Sequence, residues 1–344
     1  MEKINVALLS FGMSGRVFHA PFLHTHEGFN LLGSWERSQK NIQNAYPTCK
    51  SFASMEEILS DERIQLVIVN TPIYTHFEYA KKCLEAGKHI IVEKAFTNNA
   101  AEALELGSLA QDKNLHIFVF QNRRWDSDFL TVKKVIESGK LGKIVEAEFH
   151  FDRYNPALSP KVHKEEVNAG SGIMRDLGPH ILDQALSLFG MPEKVFADLR
   201  YMRENTQVED YFEMILYYEN LRVRLKSGYF YKELVPSYQL FGTEGSFLKS
   251  RADKQEPDLI AGLPLTDSTW GTEPNEQFGL LHTHQERTFV PSEKGNYMHF
   301  FENVYQTLMG NEHAIVDVQA GINSMRIIDA AFESHQTQQV IALS

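Results

Sequence analysis

Two short strings carry side chains suited to acid–base chemistry. Glu93-Lys94 sets a carboxylate beside an ammonium, and Asp176-x-x-x-His180 sets an imidazole four residues after a carboxylate. Within a helix, residues four apart share a face, so Asp176 and His180 are expected to address one bound oxygen atom. An imidazole titrates near neutral pH and can take or return a hydroxyl proton. A neighbouring carboxylate can orient it, and an ammonium can stabilise a developing alkoxide. Pro179 falls between the two residues. Proline is tolerated in a first helical turn, so a helix is expected to start close to Asp176 and hold both side chains near its N-terminus. Taken singly the strings are ambiguous. Glu93-Lys94 also describes a solvated charge pair at a strand end, and Asp-x-x-x-His an N-cap carboxylate followed by a packed histidine.

A third string, Ser10-Phe11-Gly12-Met13-Ser14-Gly15, follows an apolar run and opens a helical pattern. Glycines in such a turn let backbone N–H groups approach a pyrophosphate, whose charge the positive end of the following helix favours. Ser10, Gly12, Ser14 and Gly15 are therefore expected to cradle a dinucleotide, with Ser10 where a glycine is usual. At the end of the next apolar run, Trp35-Glu36-Arg37-Ser38 reaches the place of the adenosine ribose. Glu36 would accept from both ribose hydroxyls and repel a 2′-phosphate, whereas Arg37 and Ser38 would bind one, so NAD and NADP both stay open. Asn70, Thr71, Pro72, Glu93 and Lys94 complete the expected cofactor edge, together with His76 unless that residue simply begins the next helix.

These residues need a sheet whose carboxyl ends line up. β-rich runs at Ile4 to Leu9, Phe29 to Trp35, Leu66 to Asn70, His89 to Glu93 and His116 to Phe120 alternate with helical stretches, including Thr75 to Ala86 and Ala100 to Lys113. That alternation implies an α/β fold with a doubly wound parallel sheet. After Gln121 the pattern changes. A helix is expected near Phe129 to Ser138, a strand over Lys143 to Asp152 and a helix opening near Ile173. Strands follow at Val195 to Arg200, Tyr211 to Tyr218, Leu221 to Tyr229 and Tyr238 to Phe241, the middle two pairing antiparallel. Arg251 to Gly295 reads as loops, before helices at Tyr297 to Met309 and Val318 to Ser334. The expected division is 1–121 for the dinucleotide and 122–344 for the substrate.

The 344 residues exceed one ordinary core and suit two domains. A net charge of -11 without a basic stripe argues against nucleic acid and anionic membranes as partners. Cys49 and Cys83 alone make no disulfide framework, which fits a reducing cytoplasm. No run approaches a membrane span, and the strand pattern beginning at Ile4 leaves no room for a signal peptide. His24-Thr25-His26 and His282-Thr283-His284 lack further ligands at metal-site spacing, so no metal is expected.

The turn at Ser10 to Gly15, Glu93-Lys94 and the Asp176 to His180 string together resemble the Gfo/Idh/MocA oxidoreductases over essentially the whole chain. Gly15 to Pro21, Asn122-Arg123-Arg124-Trp125-Asp126 and Asp176 to Pro192 are similar to its NADP-dependent scyllo-inositol dehydrogenase branch. The resemblance implies an N-terminal Rossmann domain and a C-terminal α/β domain with a large open, mostly antiparallel sheet, which is often the oligomer face. It further implies Lys94, Asp176 and His180 as catalytic group, NADP or NAD as cofactor, and a polyol or sugar as substrate. Asn122, Arg123, Arg124, Trp125 and Tyr154 would line the pocket, Trp125 having a core position as its alternative, and the assembly would be a homodimer or homotetramer. The expected reaction passes a hydride between nicotinamide and a ring hydroxyl or ketone of a cyclitol or sugar. The superfamily also holds glycosidases that cycle a bound NAD and regulators that bind dinucleotide without turnover. One departure stands out: the family's Glu-Lys-Pro, whose proline often carries a cis bond, is Glu93-Lys94-Ala95 here.

Overall fold

The computed structural model describes residues 3–36, 39–160, 165–168 and 170–343. The chain forms two compact units, each gathered from three stretches. The first comprises Met1–Asn122, Glu256–Ser268 and Tyr297–Met325, and the second Arg123–Gln255, Thr269–Asn296 and Arg326–Ser344.

In the first unit six strands form a sheet in the order β3-β2-β1-β4-β5-β6. They are β1 (Ile4–Leu8), β2 (Phe29–Trp35), β3 (Lys50–Phe52), β4 (Leu66–Val69), β5 (His89–Val92) and β6 (Ile117–Val119). Every neighbouring pair is parallel. Leu66, Val67, Ile68 and Val69 are all fully buried, as a strand covered on both faces must be. Strand order reverses between β1 and β4, and ligands of open α/β sheets bind at such a switch point. The helix His76–Glu85 ends at Gly87, whose φ of +75° lets the chain leave the helix while the N–H groups of Gly87 and Lys88 bond back to Leu84 and Cys83. The helix Ala100–Asp112 is capped by Asn99, which accepts from the Glu102 N–H at 2.9 Å.

The strand Lys50–Phe52 was not expected. Three residues with one buried side chain carry no readable period, and parallel pairing to Gly33, Ser34 and Trp35 holds them in place. A Cβ at Gly33 would lie 1.9 Å from the Lys50 carbonyl oxygen, so this approach requires glycine.

The second unit is built on nine strands in the order β14-β13-β12-β11-β7-β10-β9-β8-β15. They run β7 (Ile144–His150), β8 (Lys194–Arg200), β9 (Tyr211–Tyr217), β10 (Arg222–Gly228), β11 (Tyr238–Gly242), β12 (Gly245–Lys249), β13 (Gly279–Thr283), β14 (Arg287–Val290) and β15 (Ile341–Ala342). All pairs are antiparallel except β7 with β10. Burial alternates along β9 and β10, with Phe212, Met214, Leu216, Val223 and Leu225 inside. The helix Gly178–Phe189 packs on β7 and β10. The opposite face carries Glu146, Glu148, Glu213 and Arg224 in an ion-pair ladder.

Arg251 to Gly295 is not all loop: it contains the helix Gln255–Ile260 and the strands β13 and β14. β14 is a terminal strand of its sheet whose first three residues are exposed, so no alternation marks it in the sequence. Among the described residues no helix is long and apolar enough to cross a membrane. Cys49 and Cys83 are buried free thiols.

Candidate functional site

The turn after β1 is tied to the end of β4. The Ser10 N–H donates to Asn70 Oδ1 at 3.0 Å, and Asn70 Nδ2 donates back to the Ser10 carbonyl at 2.8 Å. The Arg16 N–H reaches the Gly12 carbonyl at 3.0 Å, so the helix begins within the glycine string. Its residues Gly15–His19 form a π turn. Pro21 follows after Ala20; it has no N–H to give and its ring crowds the carbonyl four residues back, which the wider turn accommodates.

The two glycines differ in what they face. A Cβ on Gly15 would lie 2.4 Å from the Ser10 carbonyl oxygen, so Gly15 lets the helix close on the turn. A Cβ on Gly12 would meet only Ser10 Oγ, at 3.5 Å, so this backbone faces open space. Beside it lies a cleft of about 350 Å³, lined among others by Ser10, Gly12, Trp35, Glu36, Thr71 and Pro72. An open backbone at a helix start, next to a cleft at the strand-order switch, fits a dinucleotide pyrophosphate. Tyr74 and Tyr79 also line this cleft and were missed by sequence reasoning. Their only signal was proximity to Thr71-Pro72.

Several expected cofactor residues prove to be otherwise engaged. Glu36 lines the cleft, but its carboxylate accepts from the N–H groups of Asn41 and Ile42, at 3.0 and 3.1 Å, and from the Ser51 hydroxyl at 2.9 Å. These bonds satisfy the first N–H groups of the helix Asn41–Ala45, whose N-cap Lys40 makes no side-chain cap bond. Arg37 and Ser38 lie outside the described residues. His76 is 1% exposed, with Nδ1 2.8 Å from the Ala95 carbonyl and Nε2 2.8 Å from the Thr71 carbonyl. It is a buried brace between the ends of β4 and β5 and does not line the cleft; burial holds its pKa below the usual histidine range.

Glu93 sits behind the turn. Its Oε1 accepts from the Ser14 hydroxyl and lies 3.0 Å from His19 Nε2, while Oε2 accepts from the Lys94 N–H at 3.3 Å. Burial alone would raise this acid, but bonds from His19 and Ser14, with the charges of His19 and Lys94, hold it below the usual range. The Lys94–Ala95 peptide bond is cis although no proline is present.

In the second unit Asp176 and His180 do not share one helix. Asp176 closes the short helix Ile173–Asp176, and His180 stands in the first turn of Gly178–Phe189, with Leu177 between them. Pro179 is the cause, since its ring would clash with the Arg175 carbonyl in a continuous helix. Pro179 takes the expected first-turn position. Tyr229 lies beside this turn. Burial and the charge of Asp176 push its phenol up to about 12. Glu209, 7% exposed, packs against Gly172, and burial raises its carboxyl to about 7.

The expected pocket residues divide. Arg123 lays its guanidinium over the Phe151 ring, 5.1 Å from the centroid, and the His180 ring lies 6.0 Å from that same ring. Arg124 instead makes a two-pronged ion pair with buried Asp183, both bonds 2.7 Å, so the structure gives it a bracing role. Trp125 is 7% exposed and belongs to the core, its carbonyl accepting from Gln255. Asn122 is buried, and Tyr154 is exposed and bridges to Phe230. Phe151, Arg153 and Arg251, which cluster with Arg123, are not among the expected pocket residues. Alternation along β7 could have placed Phe151 and Arg153 on the face of Phe149; nothing marked Arg251, which stands in the stretch read as loop. Among the described residues no group of three or more His, Cys, Asp or Glu is placed to hold a metal.

Comparison with known proteins agrees with this fold. Residues 4–121 match the oxidoreductase-family NAD-binding Rossmann fold, and residues 133–343 match the oxidoreductase-family C-terminal alpha/beta domain. Scyllo-inositol 2-dehydrogenase (NADP(+)) IolW of Bacillus subtilis is 35% identical, the match covering 100% of this chain and 97% of the relative. An uncharacterized oxidoreductase of Escherichia coli, YdgJ, is 34% identical over 100% of this chain and 99% of its own. A crystal structure of a putative oxidoreductase from Bacteroides fragilis superposes with a TM-score of 0.91 at 40% identity, covering 99% of this chain and 100% of that one. The fold and the dinucleotide turn define an NAD(P)-dependent oxidoreductase acting on a small molecule. The chain belongs to the Gfo/Idh/MocA oxidoreductase family.

Proposed function

We propose that this enzyme oxidises a ring hydroxyl of a cyclitol or sugar to the ketone, and catalyses the reverse. The observation that carries the reading is the Asp176 to His180 turn, which sets a carboxylate and an imidazole on adjoining helical segments of the second unit. Similarity to a scyllo-inositol dehydrogenase supports the substrate class. Segment 1–121 would hold the cofactor and segment 122–344 the substrate.

A bound nicotinamide supplies the hydride acceptor or donor. The chain must bind the ring, orient one hydroxyl and move its proton. In this account His180 Nε2 takes the hydroxyl proton during oxidation and returns it during reduction. Asp176 supports the imidazolium, and Lys94 Nζ stabilises the developing alkoxide. Ser10, Gly12, Ser14 and Gly15 hold the pyrophosphate, with Asn70, Thr71 and Pro72 at the neighbouring strand end, and Glu93 fixes the turn from behind. Arg123 lines the substrate side. The charged open sheet face would pair copies of the chain into a homodimer or homotetramer, working in the cytoplasm.

The test is initial-rate NAD(P)H formation with scyllo-inositol, myo-inositol and a panel of aldoses, each cofactor used separately. Turnover of a ring alcohol is expected. Silence across this panel, and across its acidic and phosphorylated sugar counterparts, with both cofactors would overturn the reading.

A further inference from the structure

Three guanidinium groups surround one aromatic ring beside His180. The central carbons of Arg123, Arg153 and Arg251 lie 5.1, 5.3 and 4.4 Å from the Phe151 centroid, and the His180 ring lies 6.0 Å from it. The residues come from separate places in the second unit: Arg123 before the helix Ser127–Glu137, Arg153 beyond β7, Arg251 beyond β12 and His180 from Gly178–Phe189. A cation is attracted to a ring face, but three like charges around one ring repel each other and call for counter-charge.

Among the described residues, Arg153 and Arg251 receive little of it. Asp126 is the carboxylate shared by two of them, 3.4 Å from Arg123 and 3.6 Å from Arg251. It is fully buried, and burial together with Asp253 drives its acid well above the usual range, so it neutralises one guanidinium at most. Arg251 Nη2 has a long 3.4 Å contact to Gln184 Oε1, while among the described residues its Nε and Nη1 have no hydrogen-bond acceptor. Buried donors left without acceptors are costly, and sites built to bind an oxygen-rich ligand commonly show them. Arg153 is exposed, with no ion-pair partner among the described residues.

We infer that Arg123, Arg153 and Arg251 form a recognition site for an anionic substituent, carboxylate or phosphate, on the ring that His180 serves. The substrate class is then a sugar acid or sugar phosphate in preference to a neutral polyol. Planar guanidiniums suit either anion through paired N–H donors. This inference rests on the assignment of His180 as the residue handling the hydroxyl proton.

The experiment compares D-glucose, D-glucuronate and D-glucose 6-phosphate on the full-length enzyme, as kcat/KM with each cofactor and as calorimetric binding to the cofactor-loaded protein. At least one acidic compound is expected to exceed glucose by about tenfold, and its identity separates carboxylate from phosphate recognition. In Arg251→Gln that ratio should fall toward 1, mainly through KM. Arg153→Gln, at an exposed position, should lower it in the same direction and serves if Arg251→Gln fails to fold. Equal or better use of glucose, or an acid-to-neutral ratio unchanged in a folded variant, overturns the anion site while leaving the dehydrogenase reading intact. Arginine-dependent binding of an acidic compound without turnover of any compound would instead keep the anion site and overturn the dehydrogenase reading. Neither turnover nor anion binding overturns both.

Discussion

The Glu93 carboxylate lies 3.0 Å from His19 Nε2 and also accepts from the Ser14 hydroxyl, so one largely buried acid ties the phosphate turn to the end of β5, where Lys94 follows. His19 is fully buried, its ring 4.3 Å from that of Phe120. His19→Phe keeps the aromatic packing and removes a partner from Glu93. Urea unfolding should show a loss of about 2 kcal/mol, with weaker cofactor binding in the folded variant. Unchanged stability would mean that Ser14 and the Lys94 N–H suffice to satisfy the acid.

The two glycines of the turn should respond differently to alanine. Gly15→Ala drives a methyl to within 2.4 Å of the Ser10 carbonyl, so both melting temperature and NADPH affinity should fall. Gly12→Ala has space for the methyl and should melt near wild type, while affinity drops about tenfold because the phosphate loses its approach. Fluorescence titration beside a thermal melt separates them.

Glu36→Gln tests whether this side chain caps a helix or selects the cofactor. The capping bonds to Asn41 and Ile42 predict a stability loss of about 1 kcal/mol with the NAD to NADP preference preserved. A large shift toward NADP would return Glu36 to the ribose.

Much of this was legible in the sequence because buried parallel strands are continuous apolar runs: β4 is Leu66-Val67-Ile68-Val69, and the helix after it stops at a glycine. The glycine turn was legible because its position between strand and helix leaves little choice of backbone. Lys50–Phe52 and β14 were not, since neither buries enough to impose a period. Side-chain direction was the harder part. Nothing in the string Trp35-Glu36 shows that the acid turns to the N-terminus of the next helix, and nothing in Ser250-Arg251 shows that its guanidinium reaches Phe151. The four-residue spacing of Asp176 and His180 predicts one helix face, and Pro179 divides it.

Glu209 provides a pH prediction. Its ordinary value of 4.5 rises to about 7 in the folded chain through burial. The native state therefore holds this proton more tightly than the unfolded state does, and the stability so gained at low pH is lost as pH rises through about 7. At most about 3 kcal/mol is at stake. Glu209→Gln should flatten this part of the stability profile between about pH 5 and pH 8, gaining on wild type toward the alkaline end. Parallel profiles for the two proteins would show that the carboxyl is ionised throughout.

The most direct test is steady-state turnover of His180→Ala on the best ring alcohol, with NADPH and NADH affinity measured on the same preparation. The account predicts a fall in kcat of about 100-fold or more, with cofactor affinity nearly unchanged. Turnover close to wild type, or a matched loss of cofactor binding, would contradict it.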